Sequence, residues 1–261
     1  MTLTESYWPS HDEGVELFDS TCGGVLRQAA SAVPDRIALL EGIADKERRR
    51  QWTYAQLLAD SERTARALLQ HFKPGDHVAV WAANCPEWVI LQFGLSLAGM
   101  VIVTVNPAYL ASELKYVLEQ SRAKGVLYQK NYRGASMQDV VHEVSAELPE
   151  LAHKICFDDL PTFLAGGDTE QALPDVSSHD PVMIQYTSGT TGFPKGAHLH
   201  HRGLTNNSRI AALTRGANGG TVDISAMPLF HTGGCVVGVL GTVQTHGTLI
   251  LVSEFEPNLF L

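Results

Sequence analysis

Short apolar runs alternate with helix-forming patterns along most of the chain, and this alternation constrains the fold more than any other feature. Val101–Val105 is almost wholly apolar, and similar runs lie at His77–Ala82 and Gly125–Gln129. Strands of a parallel sheet have this composition because helices bury both of their faces. A chain in which such strands alternate with helices forms an α/β fold. We therefore predict parallel sheets flanked by helices, with the loops that follow the strands gathered at the ligand-binding edge.

Several segments carry signals for the start of a helix. Thr53-Tyr54-Ala55-Gln56 has the T-x-x-Q form of a capping box, which predicts a helix with an apolar face from Leu57 to Phe72. Asn84-Cys85-Pro86-Glu87 is predicted to cap a helix over residues 87–98, and Ser112 to cap a shorter one. Other helices are predicted over residues 21–32, 137–148 and 201–214, and one further apolar helix is predicted to end at Thr245. Other strands are predicted at residues 37–40, 154–157, 182–187, 222–227 and 248–252.

A change in composition divides the chain. Between residues 160 and 180, glycine, proline and serine interrupt the apolar pattern, which indicates a connector. We predict a leader over residues 1–20, a first α/β subdomain over 21–175 and the start of a second subdomain over 176–261. Residues 255–261 have the pattern of a further helix, so we expect this chain to be the truncated N-terminal part of a longer protein.

Composition excludes several classes of protein. With 44% hydrophobic and 18% charged residues, the 261-residue chain is globular rather than disordered. A net charge of −9 without a basic stripe argues against a nucleic-acid partner. The N-terminus lacks an apolar signal-peptide core, no run approaches 18 apolar residues, and the four cysteines have no metal or disulfide spacing. We predict a cytoplasmic protein without a transmembrane segment, and a homo-oligomer is compatible with this composition.

The stretch from Tyr186 to Gly196 has the chemistry of a phosphate-binding loop. It contains three glycines and follows the apolar run Val182-Met183-Ile184. Glycines let backbone N–H groups turn toward an anion, hydroxyl side chains add donors, and Lys195 adds a positive charge. The candidate phosphate-binding residues are Thr187, Ser188, Gly189, Thr190, Thr191, Gly192 and Lys195.

This stretch is not a Walker loop. The template G-x-x-x-x-G-K-[ST] does not fit because Gly189 and Gly192 are three apart and Gly196 follows Lys195. A flexible Ser/Thr/Gly linker is the alternative interpretation. The histidines after it, His198, His200 and His201, favour a structural or solvent-facing role over a metal site, because zinc ligands normally come from two separated segments.

The order of residues 186–196, Tyr-Thr-Ser-Gly-Thr-Thr-Gly-x-Pro-Lys-Gly, resembles the signature of the adenylate-forming enzymes. These include acyl-CoA synthetases, luciferases and peptide-synthetase adenylation domains. All eleven positions agree, and two shorter motifs at Trp52–Leu57 and Leu97–Pro107 extend the resemblance over almost the whole chain. The resemblance implies ATP and coenzyme A as substrates, with Mg²⁺ bound to the ATP. Thr190 is the one protein side chain assigned as a candidate Mg²⁺ ligand.

The resemblance also covers the turn Pro228-Leu229-Phe230-His231. It implies that His231 is catalytic and lies near the carboxylate being activated, and that Phe230, Thr232 and Gly233 line the acyl pocket. A histidine at the carboxyl end of a predicted strand is also placed where ligands bind. The alternative is a histidine that only hydrogen-bonds its neighbours. The turn lacks the aspartate with which amino-acid adenylation domains bind an ammonium group, which favours a fatty acid or another simple carboxylic acid.

The resemblance implies ATP-dependent activation of a small-molecule carboxylic acid to an acyl-adenylate and then to acyl-CoA. We expect a medium- or long-chain fatty acid as the substrate of the full-length protein. The family's adenine, ribose and C-terminal lysine sites have no counterpart before Leu261, so we expect this chain alone to be inactive. Two alternatives stay open: a non-catalytic module that binds nucleotide weakly, and a ligase for an aryl or other simple acid.

Overall fold

The computed structural model describes residues 16–167, 170–187, 194–255 and 257. A π-helix at Gly233–Leu240 continues into the last α-helix. The α-helices are α1 Cys22–Ala32, α2 Tyr54–Leu69, α3 Pro86–Leu97, α4 Ala111–Gln120, α5 Met137–Ser145, α6 Leu160–Ala165, α7 His201–Thr214 and α8 Gly241–Gln244. The strands are β1 Ile37–Glu41, β2 Gln51–Thr53, β3 His77–Trp81, β4 Val101–Val105, β5 Gly125–Tyr128, β6 Asn131–Tyr132, β7 Ala135–Ser136, β8 His153–Cys156, β9 Pro181–Thr187, β10 Lys195–His200, β11 Val222–Ser225 and β12 Thr248–Leu251.

The strands form two principal sheets, both largely parallel. The six-stranded sheet has the order β10-β9-β4-β3-β5-β8, and only its edge strand β10 is antiparallel to its neighbour. The four-stranded sheet has the order β11-β12-β1-β2, and only β2 is antiparallel. The short strands β6 and β7 form a separate hairpin. The predicted α/β class with helix-flanked parallel sheets is confirmed.

Each sheet takes strands from both sides of the boundary predicted at residues 175 and 176. β9 and β10 extend the sheet that begins with β3, while β1 pairs with β12 at the other end of the chain. The predicted boundary therefore does not coincide with a division between sheets. The connector also contains the short helix α6.

Two apolar clusters hold these layers together. The larger one joins both sheets, since it contains Leu39 and Leu249 of the four-stranded sheet and Val80 of the six-stranded one, together with α1, α2, α3 and the π-helix. The second covers the opposite face of the six-stranded sheet with α4 and α5. The six-stranded sheet is thus buried on both faces, which explains why its central strands are almost continuously apolar.

One predicted helix cap is confirmed only in part, and a second is wrong. α3 begins at Pro86 with Cys85, a residue of the predicted capping segment, as its N-cap. No side chain makes a cap bond there, and the Asn84 side chain bonds to the carbonyls of Met227 and Val252 instead. α4 begins at Ala111, so that Ser112 lies inside the first turn. Its Glu113 carboxylate accepts a hydrogen bond from the backbone N–H of Leu110 at 2.9 Å.

The capping box at the start of α2 is confirmed. The Gln56 N–H donates to Thr53 Oγ1 at 3.2 Å, and the Thr53 N–H donates to Gln56 Oε1 at 2.9 Å. Both residues are close in sequence, so the local pattern was sufficient to predict the bonds.

Residues 16–20, the described part of the predicted leader, lie along α7. The Asn206 side chain accepts a hydrogen bond from the Phe18 N–H at 2.9 Å and donates one to the Phe18 carbonyl at 2.8 Å. Arg202 pairs with Asp19 at 2.7 Å, and the Arg209 guanidinium lies over the Phe18 ring. Residues 16–20 are therefore fastened to one face of α7. Residues 1–15 of the predicted leader lie outside the described residues.

His201, the first residue of α7, is fully buried. Its Nδ1 accepts a hydrogen bond from the Cys22 N–H at 3.1 Å, which joins α7 to the start of α1. Burial lowers the pKa of its imidazole from the ordinary 6.5 to about 4, although the nearby Asp180 carboxylate opposes the shift. The structural role predicted for this histidine agrees with these contacts. Among the residues described here, no helix is long and apolar enough to cross a membrane.

We expect the free energy of unfolding to fall as the pH is lowered, because His201 becomes protonated. The unfolded chain protonates this imidazole at its ordinary pKa of 6.5, and the folded chain only near 4. The contribution is therefore complete above pH 6.5 and is lost as the pH falls toward 4. It amounts to about 3 kcal/mol at roughly 1.4 kcal/mol per pKa unit.

Urea unfolding at several pH values measures this contribution when the protein is compared with a His201→Gln variant, whose amide oxygen can accept the same bond. The unfolding free energy of the natural protein should fall relative to that of the variant by up to about 3 kcal/mol as the pH falls from 6.5 to 4. A difference that is constant over this range would contradict the assignment.

Candidate functional site

The predicted phosphate loop connects two antiparallel strands. Thr187 ends β9 and Lys195 begins β10, and the two residues face each other in register. Thr187 Oγ1 donates to the Lys195 carbonyl at 3.5 Å, and both residues are exposed. The sequence predicted a strand, a loop and then a helix, but β10 intervenes before α7. The other predicted phosphate-binding residues, Ser188, Gly189, Thr190, Thr191 and Gly192, lie outside the described residues.

The base of this hairpin is anchored to α4. The Tyr116 hydroxyl donates to the Pro194 carbonyl at 2.9 Å, and the Tyr186 hydroxyl donates to the Val117 carbonyl at 3.3 Å. Burial raises the pKa of the Tyr186 phenol to about 12, so this hydroxyl stays a donor at neutral pH. Because β9 runs parallel to β4, Thr187 lies at the carboxyl edge of the six-stranded sheet. This is the edge at which ligands of α/β sheets bind.

The second predicted site residue, His231, lies in a tightly bonded turn after β11. The His231 N–H donates to the Pro228 carbonyl at 3.1 Å, and the Gly234 N–H donates to the His231 carbonyl at 2.9 Å. The Gly233 N–H donates to His231 Nδ1 at 3.1 Å. Whenever His231 is neutral and this bond is formed, its proton is on Nε2. The exposed imidazole then presents an N–H donor at the surface.

Gly234 allows this turn to close. A Cβ at this position would lie 2.3 Å from the Pro228 carbonyl oxygen and 2.7 Å from that of Met227. Both obstructing atoms belong to the backbone and cannot rotate away. The π-helix that begins here therefore lies directly on the chain that leads to His231.

The π-helix connects the His231 turn to β9. The Gln92 side chain of α3 donates to the Cys235 carbonyl at 3.0 Å, and Gln185 Nε2 lies 3.6 Å from Cys235 Sγ. Gln185 is two residues before Thr187, and Cys235 is four residues after His231. The two predicted sites are thus carried by elements that pack on each other. Burial raises the pKa of the Cys235 thiol well above its ordinary range, so this cysteine packs as a neutral group.

A cleft lies where the carboxyl ends of the two sheets meet. We call it the inter-sheet cleft, and its lining includes Asn84, Arg133, Pro228, Phe230 and Glu254. Arg133 Nε and Glu254 Oε1 are 3.1 Å apart, so an ion pair joins the turn of the β6–β7 hairpin to the segment that follows β12.

The structure assigns different positions to the predicted acyl-pocket residues. Phe230 lines the inter-sheet cleft, whereas Thr232 and Gly233 lie at the start of the π-helix and are partly exposed. Sequence analysis did not identify Asn84, Arg133 or Glu254 as residues of this region. Asn84 and Glu254 follow the carboxyl ends of the parallel strands β3 and β12, and that position is the sequence signal that would have found them, whereas Arg133 lies in the turn of the antiparallel β6–β7 hairpin.

No group of three or more His, Cys, Asp or Glu side chains suited to a metal ion occurs in the described part of the chain. The candidate Mg²⁺ ligand Thr190 lies outside it. The exposed Lys195 ammonium and Thr187 hydroxyl are groups that can donate to an anion.

Comparison with known proteins gives consistent sequence matches. Residues 26–260 match the family model described as AMP-binding enzyme. The chain is 34% identical to the putative acyl-CoA synthetase YngI of Bacillus subtilis over 93% of its own length and 48% of that protein. It is 33% identical to the human mitochondrial medium-chain acyl-CoA ligase ACSF2 over 91% of its length and 43% of that protein. The chain spans about half the length of these relatives.

Solved structures share this fold. The N-terminal domain of FACL13 from Mycobacterium tuberculosis superposes with a TM-score of 0.78 at 25% identity, covering 91% of this chain and 58% of that one. A long-chain-fatty-acid-CoA ligase, FadD1 of Archaeoglobus fulgidus, superposes with a TM-score of 0.82 at 18% identity, covering 93% of this chain and 49% of that one. The second likeness concerns the fold alone.

We expect Gly234→Ala to destabilise the protein, because the new methyl group meets two backbone carbonyl oxygens. Overpacking of this kind costs about 1–3 kcal/mol. Gly238→Ala is the matched control in the same helix, since its nearest atoms would be the Gly233 carbonyl oxygen at 3.6 Å and Ser225 Oγ at 3.9 Å. The control should be neutral or stabilising by up to about 1 kcal/mol. Urea unfolding compares the two variants, and equal midpoints would show that the close approach at Gly234 is not a constraint.

Proposed function

This chain belongs to the AMP-binding enzyme family, and we propose that it carries the phosphate-binding and carboxylate-binding parts of an acid–CoA ligase. The relatives that it matches are acyl-CoA synthetases, and it spans about half of their length. The activity of the whole ligase is therefore part of the proposal. The observation that carries it is the pairing of Thr187 with Lys195 at a sheet edge, on a strand that packs against the π-helix that follows His231.

The proposed reaction has two steps. A carboxylate oxygen of the acid attacks the α-phosphorus of ATP, which forms an acyl-adenylate and releases pyrophosphate. The thiol of coenzyme A then attacks the acyl carbonyl, which forms the thioester and releases AMP. Mg²⁺ bound to ATP spreads the phosphate charge during the first step.

In this proposal the hairpin of β9 and β10 binds the β- and γ-phosphates. The Lys195 ammonium supplies a positive charge and Thr187 a hydroxyl donor, and the two are held opposite each other by the strand register. The remaining donors come from residues 188–192. Because Tyr116 anchors the hairpin at Pro194, the base of the loop is fixed on the sheet edge. A fixed base supports alignment of the nucleotide with the acid, which supplies much of the acceleration in such reactions.

His231 is proposed to orient the carboxylate through its Nε2–H. The bond from the Gly233 N–H to Nδ1 fixes the ring orientation and selects this proton position for the neutral imidazole. A neutral donor can hold one carboxylate oxygen while the other remains free to attack. The proposed wall of the acyl pocket consists of Phe230, Thr232 and Gly233.

A medium- or long-chain fatty acid is the proposed substrate. The His231 turn offers no carboxylate for a substrate ammonium group. In addition, the relative ACSF2 is named a medium-chain acyl-CoA ligase. A cytoplasmic location and a homo-oligomeric state stay predictions, and ACSF2 is itself named as mitochondrial.

We expect Lys195→Ala and Thr190→Ala, made in the full-length protein, to weaken the use of ATP without unfolding it. One charge-assisted hydrogen bond contributes about 1.5–3 kcal/mol, so kcat/KM for ATP should fall roughly tenfold to a hundredfold. Pyrophosphate release measures this effect. Lys154→Ala is the matched control for Lys195, because Lys154 is exposed on β8 at the opposite edge of the same sheet. Unchanged kinetics in both loop variants would remove the loop from the mechanism.

We also expect that the 261 residues alone do not produce acyl-CoA. They correspond to 48% of YngI and 43% of human ACSF2, and adenylation needs base, ribose and phosphates held together. Removal of a single group that stabilises the charge on the reacting phosphate already lowers the rate about 10²–10³-fold. The measurement incubates the chain with ATP, Mg²⁺, fatty and aryl acids and coenzyme A, and assays AMP and thioester. Isothermal titration with ATP and Mg²⁺ tests separately whether it binds nucleotide. Turnover comparable to that of a full-length synthetase would contradict the expectation that these residues alone are inactive.

A further inference from the structure

Asn84 is a buried amide at the junction of the two sheets. It follows β3 of the six-stranded sheet and is 8% exposed. Its Nδ2 donates to the Met227 carbonyl at 3.0 Å and to the Val252 carbonyl at 3.1 Å. Its Oδ1 accepts a hydrogen bond from the Leu229 N–H at 2.8 Å. One side chain thus joins β3 to the segments that follow β11 and β12.

These three bonds use the particular chemistry of an asparagine. The amide nitrogen has two hydrogens, and each is directed to a different carbonyl group, while the amide oxygen accepts from a backbone N–H. An ionised aspartate of the same shape has no donor and would place negative charge against two carbonyl oxygens. A shorter serine could not reach all three partners at once. The site therefore fits an uncharged amide.

The bonded backbone leads directly to His231. Met227 and Leu229 flank Pro228, whose carbonyl accepts the hydrogen bond from the His231 N–H. Leu229 is itself buried, and its N–H is bonded to the Asn84 side chain. Asn84 therefore fixes the first half of the turn, while Gly234 and the π-helix fix the second half.

We propose that Asn84 is a positioning residue for His231. Through Met227 and Leu229 it holds the turn at the height and angle at which the imidazole meets the carboxylate of the acid. It also fixes this turn relative to the six-stranded sheet, whose edge carries the β9–β10 hairpin with Thr187 and Lys195. Asn84 does not touch the reacting atoms. The consequence for catalysis rests on the proposed ligase function, whereas the consequence for the geometry of the turn does not.

Asn206 provides a matched control. It is also a buried asparagine, at 7% exposure. Its amide makes the same set of bonds, one accepted from the Phe18 N–H and two donated to the carbonyls of Phe18 and Arg202. These partners belong to residues 16–20 and to α7, not to the His231 turn. Asn84→Ala and Asn206→Ala therefore remove equivalent bonds at different places.

The first measurement is hydrogen exchange in the full-length protein. Asn84→Ala should accelerate exchange at the Leu229 amide and across residues 227–234 by about tenfold or more, since the acceptor of the Leu229 N–H is lost. Asn206→Ala should leave this segment unchanged and accelerate exchange at Phe18 instead. Asn84→Asp keeps the shape of the side chain and serves if the alanine variant does not fold. Wild-type exchange rates over 227–234 in both Asn84 variants would overturn the proposal.

The second measurement separates KM from kcat in pyrophosphate release. Asn84→Ala should lower kcat/KM for the acid about tenfold to a hundredfold, as expected when a reacting group is displaced by about 1 Å. KM for ATP should stay within about twofold, and Asn206→Ala should change neither constant. An equal loss in both alanine variants would reduce Asn84 to a structural residue. If the wild-type protein releases no pyrophosphate with any acid, the ligase function fails, and the exchange data still decide whether Asn84 fixes the turn.

Discussion

The close approach between Gly234 and the Met227–Pro228 backbone is the contact on which the candidate site depends. A side chain at 234 would overlap carbonyl oxygens that have no freedom to move. Because no side chain is present, the π-helix starts directly on the turn, and the His231 carbonyl can accept bonds from the first N–H groups of that helix. The same compact turn brings the Gly233 N–H to His231 Nδ1. Ring orientation and proton position at His231 thus follow from one backbone contact.

The pairing of distant segments explains why the two sheets are not two subdomains in sequence. β1 pairs with β12 across more than two hundred residues, and β9 returns to β4 after the connector. One apolar cluster then includes both sheets, so neither could bury its inner face alone. Composition marks the connector correctly as a loop-rich segment but contains no information about which sheet the following strand joins. A boundary drawn at 175 therefore separates residues that share a sheet.

Local features were predictable from sequence, and features set by tertiary contacts were not. The capping box at Thr53 and the bounds of α7 depend on neighbouring residues, so the pattern was sufficient. Asn84 has the residue type of a helix cap, but burial gave it three backbone partners more than 140 residues away. β10 was missed because Lys195-Gly196-Ala197-His198-Leu199-His200 is largely exposed and lacks an apolar alternation. In the candidate site, the order of residues 186–196 and of 228–231 led to the chemistry that is proposed. The ion pair of Arg133 and Glu254, which are 121 positions apart, could not be read from either segment.

The charges of the site suit the two anions that the proposed reaction brings together. The chain carries a net charge of −9, so its overall charge does not attract anions, and any attraction must come from cationic groups close to the substrates. The ammonium of Lys195 lies at the β9–β10 hairpin, where it neutralises the negative charge of the ATP phosphates in the proposed reaction. At the carboxylate, a full cation would stabilise the attacking oxygen and lower its nucleophilicity. In the proposal, an imidazole that donates through Nε2 orients the carboxylate with a weaker interaction, and the Gly233 N–H bond to Nδ1 selects this proton position whenever the ring is neutral. In the proposed reaction, the charged donor thus lies at the pyrophosphate leaving group and the neutral donor at the nucleophile.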